Sequence, residues 1–232
     1  LRACNFAGAN VTIPHKSAVL PYCDHLSELS ALIGAVNTLY FDKKNLCGTT
    51  TDAEGFFRSL RRIGATIDGA NMVIVGNGGT ARTLVYAAAL RNTTRSLALV
   101  GRNRERVEAL AAEVQSRTGR EIRGGSIVAG EGRKVLKSCD LLVNCTSAGM
   151  HPHTDISPIP PELIHGGMVV VDAIYNPSRT VLMSYAEQAN CTTANGLSML
   201  LYQGLESFRY WTGREVDDTM FDLDELQGMV NK

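Results

Sequence analysis

The sequence predicts an α/β fold: a doubly wound parallel sheet in the C-terminal half, preceded by a smaller α/β unit. Short apolar runs at 71–75, 96–100, 140–145 and 168–173 alternate with helical stretches, the pattern of parallel strands covered on both faces. A glycine-rich turn, Gly76-Asn77-Gly78-Gly79-Thr80-Ala81, joins the first of these strands to a helix. The length, 232 residues, accommodates one large domain or two small ones, each with its own core.

The chain divides near Asp68-Gly69. Before that point Val11–Ile13 reads as a short strand stopped by Pro14. Residues from about His15 to Leu32 read as helix in one or two pieces. Ala35–Phe41 and Leu46–Thr51 read as a hairpin around the turn residues Asp42-Lys-Lys-Asn45. Over Asp52–Ile63 the apolar residues Phe56, Phe57, Leu60 and Ile63 recur at helical spacing, with Asp52 at the N-cap position and Gly64 as the stop. After the division, strands at 71–75, 96–100, 122–127 (the weakest), 140–145, 168–173 and 191–194 are expected. Helices are expected at 80–90, 104–117 and 197–211. The division separates 1–67, completed by C-terminal helices at about 197–232 that pack back on it, from 68–196.

Composition excludes several classes. Lys plus Arg and Asp plus Glu both number 23, so nothing suggests a nucleic-acid footprint or a membrane surface. No run is apolar enough to span a membrane, and no signal peptide is visible. Cys4, Cys23, Cys47, Cys139, Cys145 and Cys191 form no C-x-x-C pair and no zinc spacing, so no metal is expected and the cysteines read as free thiols of a reducing, cytoplasmic compartment. His151 and His153 read as solvent-facing loop residues. The chain opens without Met and reaches an apolar segment almost at once, so it reads as cut from something longer.

The glycine turn points to a pyridine dinucleotide. Gly76 permits the tight turn, Gly78 lets the backbone approach a pyrophosphate, and Ala81 is small enough for close helix–strand packing in a Rossmann-type unit. The helix N-terminus offers N–H groups to the anion. At the end of the next strand, where an NAD enzyme usually carries Asp or Glu, the chain reads Val100-Gly-Arg102-Asn-Arg104-Glu-Arg106. Arginines there suit a 2′-phosphate, which favours NADP.

Three polar residues stand out in the first part: Lys16 just after a strand end, Asn37 within an apolar strand, and Asp52 at a helix start. Each alone has an ordinary structural explanation. Together with the turn, however, they form a series: Asn-Val-Thr-x-Pro-x-Lys at 10–16, Gly-Ala-Val-Asn-Thr at 34–38, Thr-Asp-x-x-Gly at 51–55, Asn-x-Thr-x-x-Gly-Met at 144–150, Asp172-x-x-Tyr175-Asn-Pro177, and Gly196-Leu-x-Met-Leu-x-x-Gln203. In order and spacing this series resembles the shikimate dehydrogenase family along essentially the whole chain.

The resemblance implies NADP-linked interconversion of 3-dehydroshikimate and shikimate, small-molecule partners only, and keeps a homodimer open. Lys16 and Asp52 match the family's catalytic pair. Asn37, Tyr175 and Gln203, with Thr12 beside them, match the substrate-binding group. Asn144, Thr146, Ile174, Gly196 and Met199 match the cofactor side of the cleft, with the turn residues Gly76, Asn77, Gly78, Gly79, Thr80 and Ala81. Arg102 and Arg106 match the family's phosphate-binding arginines. A lysine is chemically suited to the reaction, since hydride addition to a ketone leaves an alkoxide that needs a proton and a nearby positive charge.

The family's pattern also includes an N-terminal strand with a Ser-x-Ser motif, which this sequence lacks. In the phosphate motif, Gly101 and Asn103 stand where Asn and Thr are usual. Two further readings therefore accompany the main one: a quinate/shikimate dehydrogenase with relaxed substrate choice, and a truncated dinucleotide-binding paralogue without catalysis. The chain also reads as a candidate piece of a multifunctional polypeptide.

Overall fold

Backbone hydrogen bonding sorts the strands into two separate sheets. In the computed structural model, which describes residues 1–128 and 130–230, the first sheet is built from β1 (Gly8–Asn10), β2 (His25–Leu26), β3 (Thr38–Asp42) and β4 (Asn45–Thr49), with α1 (Glu28–Ile33) leading into β3 and α2 (Asp52–Arg62) following β4. Its order is β1-β3-β4-β2. The β3–β4 hairpin is antiparallel around Lys43, which adopts φ +55° in the turn, and β2 lies parallel to β4.

The second sheet follows from β5 (Asn71–Val75), α3 (Gly79–Arg91), β6 (Ser96–Gly101), α4 (Arg104–Thr118), β7 (Arg123–Ser126), α5 (Glu131–Lys137), β8 (Leu141–Asn144), β9 (Val169–Asp172), α6 (Val181–Gln188) and β10 (Thr192–Ala194). All its pairings are parallel, in the order β10-β9-β8-β5-β6-β7. Counted from β5, this is the 3-2-1-4-5-6 order of a doubly wound dinucleotide fold, with its switch point between β5 and β8. The central strands β5, β6 and β8 are apolar and almost wholly buried because helices cover both faces. One face packs Met72, Ile74, Leu97 and Leu99 against α3 and α4. The other packs Val73, Val75, Ala98 and Leu142 against α5 and α6.

The chain then returns to the first sheet. α7 (Leu197–Thr212) runs along α2, and Trp211 Nε1 donates to the carbonyl of Leu39 at 2.9 Å. The contact is close at Gly55, where a Cβ would stand 2.7 Å from the carbonyl oxygen of Met199. α8 (Leu223–Val230) packs on α7. Positions 231–232 of the expected C-terminal helical stretch lie outside the described residues. No helix among the described residues is long and apolar enough to cross a membrane.

The second sheet's strands appear where the sequence places them, to within a residue or two. The first part departs more. The expected strand at Val11–Ile13 is displaced to Gly8–Asn10, and Ile13 stands 81% exposed ahead of Pro14. The helix expected over His15–Leu32 reduces to a 3-10 turn at Leu20–Tyr22, the β2 strand and the short α1. Pro21 cannot donate a helical hydrogen bond. Ser27 then starts α1 afresh by accepting from the backbone N–H of Ser30 at 3.3 Å. Two helices unmarked in the sequence reading, α5 and α6, supply crossovers of the parallel sheet.

Candidate active site

The site forms where the two sheets meet. Lys16 follows β1 by six residues and is held there by backbone pairing, since its carbonyl accepts from Val36 N–H at 2.9 Å. Asp52 begins α2. The residue preceding that helix is Thr51, not Asp52 as the sequence suggests, and Thr51 makes no side-chain cap bond. Asp52 therefore does not fold back on its own helix. Its carboxylate sits in the favourable field of the helix N-terminus and points to neighbours: Lys16 Nζ reaches Oδ2 at 2.7 Å, and Asn37 Nδ2 donates to Oδ1 at 2.8 Å.

Asn37 is the hub. It is buried, and its Oδ1 accepts from Thr51 N–H at 2.9 Å and from Thr38 Oγ1 at 2.8 Å. Its Nδ2 lies within reach of Asp52 Oδ1, of Thr51 Oγ1 at 3.0 Å and of Gln203 Oε1 at 3.3 Å. Two amide hydrogens face three acceptors, so Gln203, the most distant, is the group left to turn toward another donor. Beneath this hub Ser207 of α7 lies 2.8 Å from Thr38 Oγ1 and accepts from Asn10 Nδ2 at 3.0 Å. Asn10, Thr38, Thr51 and Ser207 were absent from the sequence-derived site. Polar residues of these types are ordinary along the chain, and these four take on meaning only when the elements that carry them converge.

A cleft of about 340 Å³ opens over this network. Its walls include Thr12, Lys16, Asn37 and Asp52 from the first sheet's layer, Tyr175 and Gly196 from loops at the second sheet, and Met199 and Gln203 from α7. Thr80, near the start of α3, lines the same cleft and a smaller cavity of about 260 Å³ behind Lys16 and Asp52, which Gly79 also borders.

A third cavity, of about 470 Å³, lies at the switch point and is bordered by Gly76, Asn77, Gly78, Arg102, Arg106 and Thr146. Gly76 adopts φ +115°, a conformation that side chains disfavour. A Cβ at Gly78 or Gly79 would meet no protein atom within 4 Å, so the turn faces open space. Arg102 and Arg106 have no acidic partner among the described residues, whereas Arg104 pairs with Glu108 at 2.7 Å. Asn103 caps α4 by accepting from Arg106 N–H at 3.0 Å. A glycine turn at a helix start facing two unpaired arginines fits a phosphorylated dinucleotide. His153, exposed in its loop, also borders this cavity.

Three of the sequence-derived cofactor residues, Ala81, Asn144 and Ile174, line none of these three cavities. Ala81 is fully buried beneath the turn. Asn144, also fully buried, braces the cavity wall from behind: its Oδ1 accepts from Thr146 N–H and Oγ1 at 2.9 and 2.8 Å, and its Nδ2 donates to Asp172 Oδ1 at 2.9 Å. Asp172 also accepts from Ile174 N–H at 3.1 Å and Thr180 Oγ1 at 2.8 Å. Burial pushes its carboxyl up to about 6, against the opposing effect of these three donors.

A parallel sheet of this order, with a glycine turn at its switch point and a lysine–carboxylate cleft beside it, defines a dinucleotide-dependent dehydrogenase fold. Sequence comparison gives the family. Residues 1–39 match the shikimate dehydrogenase substrate binding domain, and residues 196–219 match the shikimate 5'-dehydrogenase C-terminal domain. The shikimate dehydrogenase (NADP(+)) of Methanothermobacter thermautotrophicus is 42% identical over 233 residues, covering 100% of this chain and 81% of that protein. The crystal structure of shikimate 5-dehydrogenase from Listeria monocytogenes in complex with shikimate and NAD aligns with a TM-score of 0.87 at 31% identity, over 99% of this chain and 79% of that one. That of the Thermus thermophilus enzyme in complex with NADP(H) and shikimate aligns with a TM-score of 0.81 at 31% identity, over 97% and 79%. The chain belongs to the shikimate dehydrogenase family.

Proposed function

We propose that this chain interconverts 3-dehydroshikimate and shikimate with NADP, and that Lys16 is the proton-transfer group. The observation that carries this reading is the 2.7 Å pair between Lys16 Nζ and Asp52 Oδ2 in a cleft shared with Asn37, Tyr175 and Gln203, which Thr80 of the glycine turn also lines. The relatives' names and bound ligands support the same substrate and cofactor.

Bound NADPH supplies the hydride to the carbonyl carbon. As the C=O π electrons move onto oxygen, the Lys16 ammonium gives that oxygen its proton, and the neutral amine then recovers a proton from solvent. In the oxidative direction Lys16 removes the hydroxyl proton. Asp52 orients Nζ and is itself oriented by Asn37. Tyr175, Gln203 and Thr12 hold the substrate's hydroxyls and carboxylate. Gly76 to Gly79 and the α3 N-terminus hold the pyrophosphate, with Arg102 and Arg106 on the 2′-phosphate. Residues 1–67 with α7 and α8 form the substrate side of this arrangement, and 68–196 the cofactor side.

The test is nicotinamide reduction followed by absorbance, with shikimate or quinate as substrate and NADP or NAD as oxidant. Turnover fastest with shikimate and NADP is expected. Binding of NADP by titration without turnover of either substrate would replace the enzyme with a dinucleotide-binding paralogue.

A further inference from the structure

Away from the cleft, one carboxylate gathers side chains from two helices and ties them to a third. Glu113 on α4 accepts from Arg82 Nη1 at 2.8 Å and Nη2 at 2.5 Å, and from Tyr86 Oη at 3.0 Å. Arg117, one helical turn on, brings Nε to 3.5 Å from the same carboxylate. These donors hold the Glu113 carboxyl down at about 2. Both arginines have a further donor to spare, and each uses it on the same target. Arg82 Nε donates to the carbonyl of Ile33 at 2.8 Å, and Arg117 Nη1 to the carbonyl of Leu32 at 2.9 Å.

Leu32 and Ile33 end α1. Helix ends leave carbonyls without intrahelical partners, and α1 has no basic residue of its own in its last turn. Cations from the second sheet's helices fill that role. The chain leaves α1 through Gly34, at φ +69°, and within four residues of Ile33 presents Val36, whose N–H holds the Lys16 carbonyl, and Asn37, the hub of the cleft. At the other end, Arg82 is the second residue after Thr80 on the helix that the glycine turn opens. Apolar packing of Ile33, Leu84 and Val85 presses α1 and α3 together but is tolerant of sliding. The planar guanidinium fork is directional.

We propose that Glu113 is a positioning residue: by locking Arg82 onto the carbonyl of Ile33 and Arg117 onto that of Leu32, it sets the placement of Lys16 and Asn37 relative to the glycine turn. Its effect on turnover rests on the function proposed above; its effect on geometry does not. Glu113 lines none of the three cavities. Hydride transfer is sensitive to small misplacements of the reacting groups, so a loosened latch lowers turnover without removing any group from the cleft.

The test compares the full chain with Glu113→Gln, which keeps the side chain's shape and removes its charge, and with Arg82→Lys, whose single ammonium cannot span carboxylate and carbonyl. Hydrogen–deuterium exchange of the 32–37 amides is expected to speed up about tenfold or more in both, while amides of the β5 and β8 core stay protected. At saturating shikimate and NADP, kcat is expected to fall about tenfold, with NADP binding by titration within about threefold of the parent. Unchanged exchange over 32–37 would overturn the proposal, as would exchange raised throughout the fold, which marks general destabilisation. If the unaltered chain does not turn over shikimate, the functional reading fails while the exchange measurement still decides for or against the latch.

Discussion

Asn37 and Asp52 lie fifteen positions apart in the chain, and the amide nitrogen of the first stands 2.8 Å from a carboxylate oxygen of the second. The β3–β4 hairpin creates this approach: Thr38 and Thr49 are directly opposed, so the residues just outside them, Asn37 and the start of α2, emerge side by side. Asp52 is thereby held from one side by Asn37 and offers its other oxygen to Lys16.

Removing the lysine tests the chemistry most directly. Lys16→Ala is expected to lower kcat by about 10²–10⁴-fold while leaving NADP affinity unchanged, because Lys16 borders the cleft and not the dinucleotide cavity. Steady-state kinetics with a cofactor titration measure both. Near-parental turnover at saturating substrate would remove Lys16 from the mechanism.

Asn37→Ala should cost stability as well as activity. It leaves the buried N–H of Thr51 without its acceptor, a loss of about 1–3 kcal/mol. Denaturant unfolding should show the midpoint drop at constant slope.

The arginine pair bears on cofactor choice. Arg102→Ala is expected to weaken NADP binding by about 1.5–3 kcal/mol, the range for a charge-assisted hydrogen bond, and to leave NAD binding nearly unchanged. Equal losses for both dinucleotides would place Arg102 on the shared pyrophosphate instead of the 2′-phosphate.

Gly55→Ala should loosen the junction of α2 and α7. Its Cβ would stand 2.7 Å from the Met199 carbonyl oxygen and 2.8 Å from Gln203 N. Both are backbone atoms, so the helices must part, at about 1–3 kcal/mol. Because Asp52 and Gln203 ride on these helices, KM for shikimate should rise together with the loss of thermal stability.

Asp172 gives a pH signature. Its folded carboxyl titrates at about 6, against roughly 3.9 when unfolded. Between those values the folded chain holds a proton that the unfolded chain has lost, so this group's contribution falls as pH rises from about 4 to about 6. Asp172→Asn retains an acceptor for Asn144 and Ile174 and cannot ionise. Its melting temperature relative to the parent should therefore climb across that window and level off above it; a constant difference across the window would rule out this linkage.

The second sheet was legible because each of its strands is a short apolar run, buried on both faces and punctuated by helices. Such a pattern needs no long-range information. The glycine turn was legible for the same reason: strand, turn and helix are contiguous. The first part was harder. The segment 15–32 carries enough apolar residues to suggest a helix, yet Pro21 and the pairing of His25–Leu26 with β4 divert it, and the pairing partner lies about twenty residues downstream.

By itself, the sequence determined the doubly wound sheet, the glycine turn and the identity of Lys16, Asn37, Asp52 and Gln203 as residues worth attention. All of these rest on local pattern or on motif order. Only the tertiary structure decided that Thr51 and not Asp52 stands at the N-cap of α2, that Asn144 braces the cavity wall from behind, and that Ser207 and Asn10 close the network below Asn37. Those outcomes depend on which side chains meet across elements far apart in the chain, and hydrogen-bond partners at about 3 Å are fixed by packing that no local window contains.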